Sequence, residues 1–408
     1  MRKFLKLFGI LLLALVIGFT VFACTSTDNS TENSGNNNSN NSADNNGNDE
    51  KIIDNTPDNP KPFRDIDALD LVKEMRVGWN LGNTFDSSGG STVFAMETAW
   101  ISPKKQTTKE NITALKEAGF NIIRIPVSWN RAVDKDYTIR EDFMARVTEV
   151  VDYAVDNDMF IIINSHHDEN IFKFMNSNTD GSIRALKIIW AQIAINFKDY
   201  DEKLMFEGLN EPRTKGSSAE WSGGTAEERA NLNTHYQAFV DTVRACGSNN
   251  SKRFLLINPY AASGTTAAMN GLELPLDTAE KKLIVSYHVY APYDFALNVN
   301  SKVNTWSQSV PSDVSSITNP INQYYNKYVT RGIPVIIGEF GAMNKNNEDT
   351  RAEWAEFYVK SAKEKGMPCI WWDNGATTGN GELFGLLNRA DNTFIYPKVV
   401  AGLMKGSQ

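Results

Sequence analysis

The chain has 408 residues, 41% of them hydrophobic and 22% charged, with a formal net charge of −8. That apolar content can bury one large core, and a single α/β barrel fills the length that two or three smaller domains would otherwise share. No long Lys/Arg block follows the first few residues, which excludes a phosphate backbone as partner and leaves a neutral polymer as the easier fit.

At the N-terminus Arg2, Lys3 and Lys6 precede an apolar run from Leu7 to Phe22. This run is too short and too early for a spanning helix and reads as a signal peptide over residues 1–24. It closes on Val21-Phe22-Ala23-Cys24, which is similar to a bacterial lipobox and makes Cys24 the expected lipidated residue. The alternative is ordinary cleavage after Ala23. Residues 25–61 are mostly Asn, Ser, Thr, Asp and Gly, a composition that cannot offset its own ordering entropy and suits a tether behind a membrane anchor. The other two cysteines, Cys246 and Cys369, match no zinc spacing; they form either one bond or two buried thiols.

From residue 62 to 408 short apolar runs alternate with helical periodicity. Strands are predicted at Arg76–Asn83, Asn121–Val127, Phe160–His166, Leu204–Asn210, Arg253–Pro259, Leu283–Tyr290, Ile333–Glu339 and Pro368–Trp372. Helices are predicted at Thr108–Ala118, Glu141–Asn157, Ile183–Phe197, Ala226–Ala245, Ile317–Arg331, Thr350–Lys365 and Tyr396–Met404, with a weak link over 261–282. Eight strand–helix units imply an α/β fold, a closed parallel (β/α)8 TIM barrel. No glycine-rich phosphate loop follows the first strand, which disfavours a dinucleotide-binding sheet. Barrel active sites lie at the C-terminal strand ends. Those ends carry Asn83, Arg124, His166 and His167, Asn210 and Glu211, His288 and Tyr290, Glu339, and Trp372.

The fourth strand runs into Asn210-Glu211-Pro212 and the seventh into Gly338-Glu339-Phe340-Gly341. With them stand Arg-Ile-Pro-Val-Ser-Trp at 124–129, Asn-Ser-His-His at 164–167, Tyr-His-Val-Tyr at 287–290 and Trp-Trp-Asp at 371–373. Taken in order, one motif per strand end, this set resembles the glycoside hydrolase family 5 endoglucanases, in the cellulase and xyloglucanase branch. The resemblance implies Glu211 as general acid/base and Glu339 as nucleophile of a retaining endo-β-1,4-glucanase. It also implies Asn210 and Asn83 as ligands of sugar hydroxyls, His166 in the substrate site with His167 nearby, and Trp372 as the aromatic floor under the sugar at the cleavage point. No cofactor is implied, and the expected partner is β-glucan, met by a monomer.

The chemistry of these residue types agrees with that division. Retention needs two carboxyls about 5–5.5 Å apart, one protonated and one ionised. Arg124 and Tyr290 are placed to hold Glu339 as an anion. Partial desolvation and the neighbouring Glu339 anion are expected to keep the proton on Glu211. His288 shares a face with Tyr290 and so neighbours the same carboxylate. Glu207 shares a face with Glu211 but lies four residues deeper, out of reach of substrate, and is expected to be a buried hydrogen-bond partner. Adjacent strand residues point to opposite sides, so His166 and His167 are not expected to share a metal, and His167 is equally readable as a core histidine. Trp100, Trp129, Trp221, Tyr260 and Trp306 follow strands and are candidate platforms for further glucose units; Trp190 and Trp354 fall in helices and Trp371 has outward parity, so these belong to the core.

Three other readings remain: a carbohydrate-binding barrel without catalysis, a metal-dependent hydrolase, and a family 5 enzyme acting on mannan or xylan.

Overall fold

The computed structural model describes residues 58–408; the signal segment, Cys24 and most of the 25–61 tract lie outside the described residues. Eight parallel strands close into one barrel in sequence order. They are β1 (Val77–Leu81), β2 (Ile122–Ile125), β3 (Phe160–Asn164), β4 (Leu204–Glu207), β5 (Leu255–Ile257), β6 (Leu283–His288), β7 (Val335–Phe340) and β8 (Cys369–Asp373). β1 pairs with both β2 and β8, which completes the ring. This is the (β/α)8 architecture expected from the alternation of elements.

The strands are shorter than the apolar runs that announce them, because the closed ladder ends before the sequence pattern does. Asn83, His166, His167, Asn210, Glu211 and Tyr290 therefore sit just past their strands, while Arg124, His288, Glu339 and Trp372 lie within them. The weak stretch 261–282 carries only a short helix, Thr266–Gly271. The predicted helix at Ile317–Arg331 starts earlier, at Pro311, and runs to Lys327; proline is favoured at a first helical position because its missing N–H would have no intrahelical partner there.

Alternation along the strands divides the core in two. Residues of one parity point into the barrel, where Ile122, Phe160, Ile162, Met205, Phe254, Leu256, Ile284, Ile336 and Ile370 pack together over the Ala68–Lys73 helix, which closes the lower end with Leu71 and Val72. The opposite parity faces the helices. There Trp371 meets Trp354 edge-on at 6.2 Å between centroids, and Trp190 and Trp354 are fully buried, as expected.

Two residues above the apolar floor, the same inward parity becomes polar: Asn80 follows Gly78, Arg124 follows Ile122, Asn164 follows Ile162 and Glu207 follows Met205. The buried floor thus fixes the height and direction of a polar layer immediately beneath the strand ends. Cys246 and Cys369 are both buried thiols.

Candidate active site

Arg124 is the hub of the polar layer and is fully buried. Its Nε donates to Glu207 Oε2 at 2.8 Å, Nη1 to Asn80 Oδ1 at 2.9 Å and to Glu339 Oε1 at 2.8 Å, and Nη2 to Asn210 Oδ1 at 2.6 Å. Burial works against its charge, and the Glu207 and Glu339 carboxylates outweigh burial and push its pKa up. A guanidinium fork so divided sets four side chains from three strands, β1, β4 and β7, in one fixed relation.

Glu207 is the buried partner expected of it. It also accepts from Asn164 Nδ2 at 2.9 Å and from Asn258 Nδ2 at 3.1 Å, so its oxygens are occupied by protein donors. Asn258 in turn donates to the Asn210 carbonyl at 2.6 Å. Asn80 and Asn258 belong to this network and were not singled out from the sequence. The available signal for Asn80 was register: it stands directly opposite Arg124 on the neighbouring strand.

Strict alternation would turn Glu339 outward, since Ile337 faces the helices and Gly338 the barrel. A register shift in β7 between Ile337 and Phe340 adds one residue and brings Glu339 inward as well. Bulges of this kind re-aim side chains beside active sites. Gly338 makes the turn possible. A Cβ there would lie 2.6 Å from Ser286 Oγ and 3.0 Å from His288 Nε2, which explains the small residue ahead of the glutamate.

Both Glu339 oxygens accept hydrogen bonds, Oε1 from Arg124 and Oε2 from the Tyr290 hydroxyl at 2.8 Å. Burial and the adjacent Glu339 hold the Tyr290 phenol far above its usual range, so it remains a donor. A carboxylate accepting at both oxygens suits the ionised form. Across from it, Glu211 Oε1 lies 3.0 Å from His288 Nδ1, which is 3.6 Å from Glu339 Oε2. One oxygen of Glu211, one of Glu339 and a ring nitrogen of His288 all fall within 4.8 Å of one another. His288 thus touches both carboxylates, consistent with the face it shares with Tyr290.

The expected protonation of Glu211 needs correction for this unliganded state. Burial does push its pKa up, but the hydrogen bond from His288, with the charges of His288, Arg213 and His167, pulls it below the ordinary glutamate range. Arg213 Nη1 donates to the Glu211 backbone carbonyl at 2.9 Å and approaches Oε2 at 3.3 Å. Sequence reading missed Arg213, although it follows Asn-Glu-Pro directly. Its effect depends on a side chain that doubles back on the loop, and no periodicity reports that.

His166 and His167 also depart from expectation. They lie past β3, where strand parity no longer applies, and their rings meet edge-on with centroids 4.4 Å apart. His166 is buried between two amides, with Nδ1 3.2 Å from Asn164 Nδ2 and Nε2 3.3 Å from Asn210 Nδ2. Burial and the cations around it push its pKa well down, so the imidazole is neutral. Its ring lies parallel to that of Trp372, 5.7 Å between centroids. The His167 side chain is 33% exposed and points toward Glu169, which removes the core-histidine alternative. Asp86, His166 and His167 place ligand-type atoms within 4.8 Å of one another, so the two histidines, expected to point to opposite sides, lie together. The Asp86 carboxylate is already engaged, accepting from the backbone N–H groups of Asn83 at 3.0 Å and Thr84 at 2.7 Å.

That turn holds Asn83 at φ 57°, and its side-chain amide has no partner among the described residues. Trp372 is 8% exposed and packs against Met343 and Phe384; a Cβ on Gly82 would strike its indole at 2.9 Å. Of the five candidate platforms, Trp129, Tyr260 and Trp306 are buried instead. Trp129 Nε1 donates to the Asn164 carbonyl at 2.9 Å, and the Tyr260 hydroxyl bridges Glu228 and the Thr214 N–H, each at 2.8 Å. Only Trp100 and Trp221 of the five are exposed, at 44% and 61%.

A closed barrel with two carboxylates converging beside a guanidinium, a phenol and an imidazole at the C-terminal strand ends is the architecture of a hydrolase. Residues 83–378 match the family model for cellulase, glycosyl hydrolase family 5, and the chain belongs to that family. It is 46% identical over 342 residues to endoglucanase B of Ruminococcus albus, covering 83% of this chain and 80% of the relative. Endoglucanase B of Neocallimastix patriciarum is 44% identical over 354 residues, 85% of this chain and 73% of the relative. Among solved structures, a broad-specificity endoglucanase from Ruminococcus champanellensis with bound cellotriose superposes with a TM-score of 0.81 at 45% identity, over 85% of this chain and 100% of that one. A lichenase from Caldicellulosiruptor sp. F32 superposes with a TM-score of 0.80 at 40% identity, over 87% and 99%.

Proposed function

We propose that this chain is a retaining endo-β-1,4-glucanase acting on cellulose, mixed-linkage β-glucan or xyloglucan, with Glu339 as nucleophile and Glu211 as general acid/base. The carrying observation is the pair of carboxylates with oxygens within 4.8 Å. That closeness suits the ~5–5.5 Å spacing of covalent catalysis rather than the ~6.5–9.5 Å that leaves room for a water between carboxyls. Glu339, bonded by Arg124 and Tyr290, attacks the anomeric carbon while Glu211 gives its proton to the departing oxygen. Glu211 then takes a proton from the water that releases the sugar. The cello-oligosaccharide in a similar solved structure supports a β-1,4-glucan. Asn210, whose Oδ1 accepts from Arg124, is read as the ligand of the 2-hydroxyl; Asn83, His166, His167 and Trp372 are read as lining the sugar site. Digestion of a polysaccharide panel tests this reading. Viscosity of soluble β-glucan or xyloglucan should fall well before glucose accumulates; glucose or cellobiose released alone from chain ends, or activity confined to mannan or xylan, contradicts it. EDTA should leave activity intact.

The charge on Arg213 favours ionised Glu211, so removing it favours the protonated acid. Arg213→Met should therefore move the alkaline limb of kcat/KM to higher pH, because the proton needed by the leaving group persists longer. An unmoved or lowered limb would separate Arg213 from the acid/base.

The N-terminal segment is read as a lipid anchor at Cys24 followed by a tether, placing the catalytic domain 62–408 on the outer face of the cell envelope. Cys24→Ala should shift the enzyme from the membrane fraction to the medium with activity unchanged. An intact wild-type protein found mainly in the medium contradicts the anchor.

A further inference from the structure

We propose that Glu169 is a positioning residue for the acid/base: its carboxylate competes with Glu211 for the Arg213 guanidinium and so sets how firmly Glu211 holds a proton. The proposal rests on the reading of Glu211 as the acid that protonates the leaving oxygen. Glu169 lies in the loop after β3 and Arg213 in the loop after β4, so the contact joins two neighbouring strand ends beyond their ladder.

The two carboxylates meet at one nitrogen. Arg213 Nη1 lies 3.4 Å from Glu169 Oε1 and 3.3 Å from Glu211 Oε2. The rest of the guanidinium is occupied: Nε donates to Glu220 Oε1 at 3.1 Å, and the Trp221 ring covers one face at 4.7 Å from Cζ. The Arg213 side chain is 8% exposed and that of Glu169 11%, so water screens the competition weakly. Glu169 Oε1 also stands 3.1 Å from Lys215 Nζ and 3.8 Å from His167 Nδ1, yet it has no hydrogen-bond partner. It acts on its neighbours as a charge. Burial works against that charge, but His167 and Arg213 outweigh burial and pull the Glu169 pKa down to about 2, so the group is ionised. The backbone holds it in place. Asp168 accepts from the Asn130 N–H at 2.8 Å, and the Ile171 and Phe172 N–H groups both return to the Asp168 carbonyl at 2.9 Å.

Glu211 is faced by His288 from β6, by Tyr290 just beyond it, by Glu339 from β7, by Glu382 from the loop after β8 and by His167 from the loop after β3. Glu169 bears on two of the cations that lower the Glu211 pKa. It offsets Arg213. Burial lowers the His167 pKa and Glu169, with Asp86, raises it, so Glu169 also keeps His167 charged. These two effects have opposite sign at Glu211. Arg213 is permanently charged and lies against the Glu211 carboxylate, so its effect is the larger. Ionised Glu169 therefore favours the protonated acid.

The test is the pH dependence of kcat/KM on cellotetraose, measured with the full-length protein. Glu169→Gln keeps the shape and removes the charge; it should move the alkaline limb to lower pH by on the order of one unit. Glu169→Asp should return part of that shift. In an Arg213→Met background the same Glu169→Gln change should move the limb far less, because the cation it competed for is gone. A limb that moves equally in both backgrounds would overturn the proposal. Movement to higher pH, the result expected of action through His167, would also overturn it, as would a loss of kcat with the limb in place, the mark of a merely structural role. Hydrolysis of β-cellobiosyl fluoride separates these outcomes from failure of the Glu211 reading, since fluoride leaves without a proton. A wild-type alkaline limb identical on both substrates would overturn that reading. A limb present on cellotetraose alone, and left in place by Glu169→Gln, would overturn only the role of Glu169.

Discussion

Replacing Glu339 with Ala should reduce kcat by more than the ~10²–10⁴-fold that general acid–base catalysis contributes, because no bond to the anomeric carbon can then form. Arg124 and Tyr290 would be left with two donors and no carboxylate between them. Azide should enter the vacated space and attack an activated β-glucoside once. A single displacement inverts the centre, so the product should be the α-glycosyl azide.

Glu211→Ala should behave in the opposite way. With substrates that leave as fluoride or an acidic phenol, the glycosyl-enzyme should still form and then accumulate, because no base activates water. Azide should intercept it in a second displacement and give the β-glycosyl azide. On polysaccharide, where the leaving alkoxide needs a proton, the loss should fall within ~10²–10⁴-fold. Swapped anomers from the two substitutions would mean that the two glutamates exchange roles.

Much of this site is legible in the sequence because strand ends and parity are. Ile122 and Arg124 share a face, so a floor residue read as apolar predicts the height at which Arg124 meets Glu207 and Glu339. Legibility fails where the backbone leaves the ladder. Glu339 faces inward only through a register shift that no alternation pattern contains. His166 and His167 were given opposite directions by a strand rule that stops at Asn164. Trp129, Tyr260 and Trp306 follow strands as Trp100 and Trp221 do, yet their polar atoms or rings find partners inside the protein. Position after a strand does not report that difference. The proton on Glu211 was argued from burial and Glu339 alone; His288 and Arg213 reverse the direction in the unliganded state, and only the folded loops bring them near. Sugar binding that separates Glu211 from His288 would restore the acid, which is the state the proposed first step requires.

The most direct measurement is the anomeric configuration of the first product released by the unmodified enzyme, followed by proton NMR before mutarotation. Double displacement between Glu339 and Glu211 predicts that the new reducing end appears first as the β anomer and drifts slowly toward the α. Initial appearance of the α anomer would mean that water attacks directly, and that the two carboxylates do not carry out covalent catalysis.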